Sequence, residues 1–339
     1  MGDDVVRSVR PLGFPWQTVD PFLFCVFHDD AYPEGDGALA PRASLKGRDI
    51  GQDFSRKDGW SMYHGDRVPG FPQHPHRGFE TVTIVRKGLV DHSDSLGATA
   101  RFGGGDVQWL TAGRGIVHSE MFPLVDEAAP NPLELFQIWL NLPARDKMVD
   151  PYFSMFWGPK IPALTVHDDA GRATQVSVVA GQFRDARALA PPPNSWASRD
   201  ESDVAILTLK LDPGATLSLA AARPETRRNL YFFRGSSLSV GQREVPVRSA
   251  VEVRADRETV LRNGPETAEV LVLQGRPIGE PVANHGPFVM NTRAELITAF
   301  EDYQRTRFGG WPFADDAPVH PKDRTRFARH ADGRVEEAE

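Results

Sequence analysis

The sequence predicts an all-β protein built from two consecutive barrels, with one helix near the C-terminus. Three observations carry this expectation. Gly (30) and Pro (28) punctuate the 339 residues so densely that the apolar segments between them are short. Those segments are rich in β-branched and aromatic residues that alternate with polar ones, as half-buried strands do. The same rhythm of short strands and turns runs through both halves of the chain, as a duplicated barrel requires.

In the first half, Phe79 to Val85 (FETVTIV) has strand alternation, and Gly88 and Gly97 bracket the next strand-and-turn unit. The glycines after Phe102 turn the chain into the apolar run Val107 to Leu110, and Leu133 to Leu142 reads as a further strand closed by Pro143. In the second half, Val204 to Leu211, Ala215 to Leu219, Asn229 to Phe233, Val251 to Arg254, Thr259 to Arg262 and Val270 to Gln274 form a meander. Turn signals such as Asp212-Pro213-Gly214 and Asn263-Gly264 separate these strands. Thr292 and Glu295 match a capping box that opens a helix over 293–306. Leu296, Ala299, Phe300 and Tyr303 form its apolar face, and Gly309-Gly310 is the expected stop.

The expected domains are a metal-binding barrel over 1–150, approached by a long segment 1–68, and a connecting segment 151–195 that contains Pro191-Pro192-Pro193. A second, metal-free barrel with its helix follows over 196–310, and a charged, mobile tail over 311–339. The formal charge is -7 and the 39 Lys+Arg are scattered, which argues against direct nucleic-acid binding. No run approaches the roughly 20 apolar residues of a membrane span. The lone cysteine, Cys25, allows no internal disulfide, and the acidic start is no signal peptide; both point to the cytoplasm.

The ten histidines are unevenly placed, with none between His167 and His285. His74-Pro75-His76 puts two imidazoles on one face of a strand, and His118-Ser119-Glu120 does the same with an imidazole and a carboxylate. Two such pairs facing each other inside a barrel supply three nitrogens and one carboxylate. That set suits Fe(II), Mn, Ni or Cu and leaves up to two open positions in octahedral geometry. Glu80 shares the parity of His74 and His76 unless Gly78 carries a bulge, so spacing leaves Glu80 and Glu120 both open as the carboxylate. The one left over is expected to orient an imidazole or to act as a general base. His92, within Asp91-His92-Ser93-Asp94, reads as a solvated residue of a polar turn. His28 and His64 lie in loop-like contexts and His320 and His330 in the tail, without a metal role.

The run from His74 to Thr83 (HPHRGFETVT) resembles the signature of the pirins, members of the cupin superfamily. Gly105 to Met121 (GDVQWLTAGRGIVHSEM) resembles the second pirin motif, and Gly286 to Thr292 (GPFVMNT) the segment before the last pirin helix. The resemblance covers roughly 71–142 and 204–309. It implies two cupin (double-stranded β-helix, or jelly-roll) barrels, with iron in the first alone. Its ligands, carried over by position, are His74, His76, His118 and Glu120. Glu80 stands where many cupins place their carboxylate ligand and remains an alternative. The segment 29–68 is longer than the usual pirin approach, and the chain beyond Gly310 is an addition.

Some pirins are similar in activity to quercetin 2,3-dioxygenases, which open a flavonol ring with O2 and release carbon monoxide. The resemblance therefore implies a small aromatic substrate and O2, with Glu120 or Glu80 as proton acceptor. Arg77, Gln108 and Trp109 are candidate wall groups, each explained equally well by packing or turn chemistry. Eukaryotic pirins resemble iron-dependent, redox-responsive cofactors of transcription regulators, which implies protein partners instead. A metabolite-binding cupin without catalysis is a third reading.

Overall fold

The computed structural model describes residues 4–338, and its contacts divide the chain into two compact units. The first comprises Phe27–Ile138, Leu142–Pro159 and the chain from Glu280 onward. The second comprises the chain up to Val26, Trp139–Asn141 and Lys160–Gly279. The architecture is all-β in both, with a single α-helix among the described residues, as the strand patterning requires.

In the first unit a six-stranded sheet runs in the order Val335–Glu337, Phe327–Arg329, Thr99–Gly103, Leu89–Asp94, Ile116–Met121, Gly70–His76. A five-stranded sheet, most of whose residues belong to this unit, runs Tyr152–Phe156, Val107–Thr111, Phe79–Lys87, Leu133–Asn141, Phe22–Asp30. Val85, Leu110, Leu135 and Phe153 from the second sheet share one core with Val90, Ala100, Phe102 and Ile116 from the first. Each of these side chains larger than alanine contributes about 1.5–3 kcal/mol when withdrawn from water, which selects the register that turns this set inward.

The second unit repeats the plan. Its larger sheet is ordered Val6–Pro11, Ser249–Val253, Arg227–Arg234, Ala268–Gly275, Ala205–Leu211, Ala173–Ala180, Ala163–His167. The smaller one is ordered Thr216–Leu219, Thr259–Asn263, Ser237–Val240, Arg243–Pro246. Leu207, Leu217, Leu230, Val251, Leu261 and Val272 belong to the core between them.

The units differ from the linear domains expected from the sequence. Val6–Pro11 pairs antiparallel with Ser249–Val253 and so joins the second unit, not a domain 1–150. The segment 151–195 is divided: Tyr152–Phe156 pairs with Val107–Thr111, whereas Ala163–His167 and Ala173–Ala180 extend the second unit's sheet. The helix Arg293–Thr306 has both hydrogen bonds of the Thr292–Glu295 capping box. It ends on Arg307 in the left-handed region (φ 50), ahead of Gly309-Gly310. Leu296 and Ala299 pack with Phe288 and Met290, which places this helix in the first unit and not with the second barrel.

The tail 311–339 is also corrected. Phe327–Arg329 pairs with Thr99–Gly103 and extends the six-stranded sheet. Beneath it the Arg101 guanidinium, almost fully buried, makes two 2.7 Å hydrogen bonds to the Asp91 carboxylate. Arg101 also donates to the carbonyls of His320, Pro321 and Arg324. A buried guanidinium needs acceptors on every side, and the tail backbone supplies those that Asp91 cannot.

Candidate metal centre

Gly70–His76 and Ile116–Met121 are adjacent antiparallel strands, and their register sets His74 directly opposite His118. Strand alternation turns His76 to the same face as His74. The ring centroids lie 4.5 Å apart for His74 and His118, 4.8 Å for His74 and His76, and 4.9 Å for His76 and His118. One ring nitrogen from each falls within 4.8 Å of the others, so the three form a group able to hold one metal ion.

The surroundings suit a metal. Nδ1 of His74 donates to the Pro72 carbonyl at 2.9 Å, which directs Nε2 into the cluster. Both nitrogens of His118 are buried without a hydrogen-bond partner, an arrangement that costs free energy unless something binds there. Burial lowers the His74 pKa to about 4. It holds His76 and His118 well below the ordinary imidazole value, with their histidine neighbours adding to the effect. All three rings are therefore neutral at physiological pH, the form that binds metals.

Glu120 shares the face of His118 and brings Oε2 to 3.9 Å from His118 Nε2. Its carboxylate accepts from Gln137 Nε2 at 2.6 Å and from Thr83 Oγ1 at 3.3 Å. Burial raises its pKa, against the opposing pull of His92, Gln137 and Thr83.

Glu80 lies elsewhere, because the break in strand parity that Gly78 left open does occur. The chain leaves one sheet at His76 and enters the other at Phe79, through Gly78 at φ +86. This crossing shifts the alternation by one residue. Phe79 meets His76 at 5.0 Å between ring centroids, Thr83 reaches Glu120 and Val85 joins the core, so the odd-numbered residues face inward. Glu80 stands on the opposite face of its strand, where Oε1 accepts from Thr111 Oγ1 at 2.7 Å.

The expected wall groups separate as well. Thr83 pairs across strands with Gln108, whose amide oxygen and nitrogen are both buried without partners on the inward face. Trp109 points the other way, with its ring 6.2 Å from Phe156. Arg77 is committed to structure: Nε donates to the Arg114 carbonyl, Nη1 to Asp302, and the guanidinium covers Phe308.

One residue of the site escaped the sequence reading. His92 is fully buried on Leu89–Asp94, directly across from Glu120, with its ring 5.6 Å from His118. Its Nε2 donates to Asp94 at 3.1 Å, and Asp94 also accepts the amides of Leu96 and Ala98. Nδ1 of His92 is buried and unpartnered. Four polar residues in a row, Asp91 to Asp94, look like a turn. The available signal was that Val90 and His92 share a face. His28, expected in a loop, is also buried on a strand, with Nδ1 2.8 Å from the Tyr63 hydroxyl. His320 and His330 lie in the ordered tail, where His320 Nε2 is 3.1 Å from the Ala100 carbonyl and His330 meets Glu336.

The family models described as pirin and as the pirin C-terminal cupin domain match residues 6–140 and 206–309. Pirin of Homo sapiens is 33% identical over 253 residues, 73% of this chain and 80% of its own. A Pseudomonas aeruginosa protein with a provisional quercetin 2,3-dioxygenase name is 37% identical over 239 residues, 70% of this chain and 79% of its own. The crystal structure of a quercetin 2,3-dioxygenase from Acinetobacter baumannii superposes with a TM-score of 0.70 and 25% identity, covering 90% of this chain and 98% of that one. With both of its domains matched, the chain belongs to the pirin family.

Proposed function

We propose that this protein is a metal-dependent dioxygenase of the quercetin 2,3-dioxygenase type, which cleaves a flavonol or a similar enol or phenol with O2. The observation that carries this reading is the buried, neutral His74-His76-His118 cluster, with both His118 nitrogens unpartnered and a carboxylate alongside. Relatives that carry the quercetin 2,3-dioxygenase name support it. We assign iron(II) to the site, with Mn, Ni and Cu as competent substitutes, and Glu120 as fourth ligand.

The bound ion supplies Lewis-acid and one-electron chemistry toward the substrate oxygens and O2. The chain's own residues do the rest. Glu120 accepts the proton of the substrate hydroxyl, and Gln137 and Thr83 fix its orientation. Gln108 offers one donor and one acceptor to the substrate from the neighbouring strand. The aromatic and aliphatic core around Phe79 and Ile116 excludes water.

No helix among the described residues is long and apolar enough to cross a membrane, and a single cysteine, which can form no internal disulfide, suits the cytoplasm we assign. Oxygen uptake by the iron-loaded protein with quercetin tests the activity. Uptake above that of a His118→Ala variant is expected, and equal rates contradict the reading.

A further inference from the structure

The second barrel holds a cavity of about 560 Å³ that the metal chemistry does not use. It lies in the barrel interior, at one end. Ala205, Leu207, Leu219 and Val272 line its apolar part, and all four belong to the barrel core. Arg228 lines its polar part. This side chain shares a face with Leu230 and Phe232, both core residues, so it is directed inward.

Arg228 is 5% exposed. Its Nε donates to Gln274 Oε1 and its Nη2 to the Ala220 carbonyl, both at 2.8 Å. Nη1 is buried with no acceptor. Burial lowers its pKa, but only to about 10, so the group stays charged. The carboxylate that acts on it is Asp203, whose Oδ2 already accepts from Thr226 Oγ1 and the Arg223 amide. The titratable groups around the cavity are Arg184, Arg223 and Arg228 against Asp203 and Glu258, an excess of positive charge. A buried cation with an idle donor beside an apolar hollow is costly unless an anion completes it.

We propose that the second barrel binds a small organic monocarboxylate with an apolar body, of the size of benzoate. The carboxylate pairs with the Arg228 guanidinium, a small turn of the side chain bringing Nη1 to it, and the ring or branched chain lies on Leu207, Leu219 and Val272. Guanidinium and carboxylate match in geometry as well as charge, and the cavity admits a ligand of this class with room to spare.

The test is calorimetric titration of benzoate into the full-length, metal-free protein. One site is expected, with benzamide at least tenfold weaker because it lacks the charge. Arg228→Met should weaken benzoate at least tenfold. His118→Ala should bind benzoate like the wild type, which separates this site from the metal centre. No benzoate binding at millimolar concentration overturns the proposal, as does wild-type affinity in Arg228→Met or equal affinity for benzamide. Loss of benzoate binding in His118→Ala also overturns it, because the ligand would then belong to the first barrel.

Discussion

Replacing Asp53 with alanine should unfold the approach to the metal-binding strand at a large cost in stability. Asp53 and Arg48 form a 2.9 Å ion pair whose side chains are both 0% exposed. Arg48 also donates to the carbonyls of Trp60 and Lys57 and lies 3.4 Å over the Trp60 ring. Asp53 receives the Met62 amide and both the amide and hydroxyl of Ser55. Removing one partner of a buried pair strands the other and costs about 3–5 kcal/mol. At about 2–4 °C per kcal/mol for a unit of this size, the midpoint should fall by roughly 6–20 °C. Scanning calorimetry of the metal-free protein measures it.

Burial pushes the Asp53 carboxyl up, but hydrogen bonds from Ser55, Met62 and Arg48 prevail and hold it at about 2. Because the folded value is depressed, the stabilisation is present above about pH 4 and lost as pH falls through 2. The gap between wild type and Asp53→Ala should close over that window. Arg48→Met combined with Asp53→Ala should recover much of the loss, since an apolar replacement leaves no stranded charge. A single variant that melts within a degree or two of wild type refutes the reasoning.

Two other changes test the frame. In Gly78→Ala the new Cβ would lie 2.0 Å from the Val289 carbonyl oxygen at a φ of +86, and strain plus clash should cost more than about 2 kcal/mol in urea unfolding. Ending the chain at Ala317 removes the carbonyls that cover Arg101 and exposes the edge strand Thr99–Gly103. Light scattering should then detect self-association, and a monodisperse protein of unchanged midpoint would contradict that role for the tail.

The fold class was legible because strand alternation and turn residues are local. Phe79–Lys87 and Ala205–Leu211 are visible in sequence as runs that any neighbour would have to bury. His74, His76 and His118 could be found for the same reason, since spacing of two on a strand fixes a shared face. What the sequence left open or hid was tertiary. The side-chain parity of Glu80 depends on the change of sheet at Gly78, which resets an alternation that looks continuous in sequence. His92 looked solvated because its polar neighbours Asp91 and Asp94 satisfy partners, Arg101 and the Leu96 and Ala98 amides, that only the folded chain brings to them. The tail looked mobile because its pairing with Thr99–Gly103 joins residues more than two hundred apart. Charge and proline content cannot announce such a contact.

The central claim is a single iron site built on His74, His76 and His118, and metal analysis tests it most directly. Protein purified without added metal, then loaded with Fe(II) under anaerobic conditions and desalted, should retain one iron per chain by mass spectrometry. His118→Ala should retain almost none while keeping the wild-type far-UV circular dichroism. A wild-type protein that holds no iron, or a His118→Ala variant that keeps the full equivalent, would contradict the account.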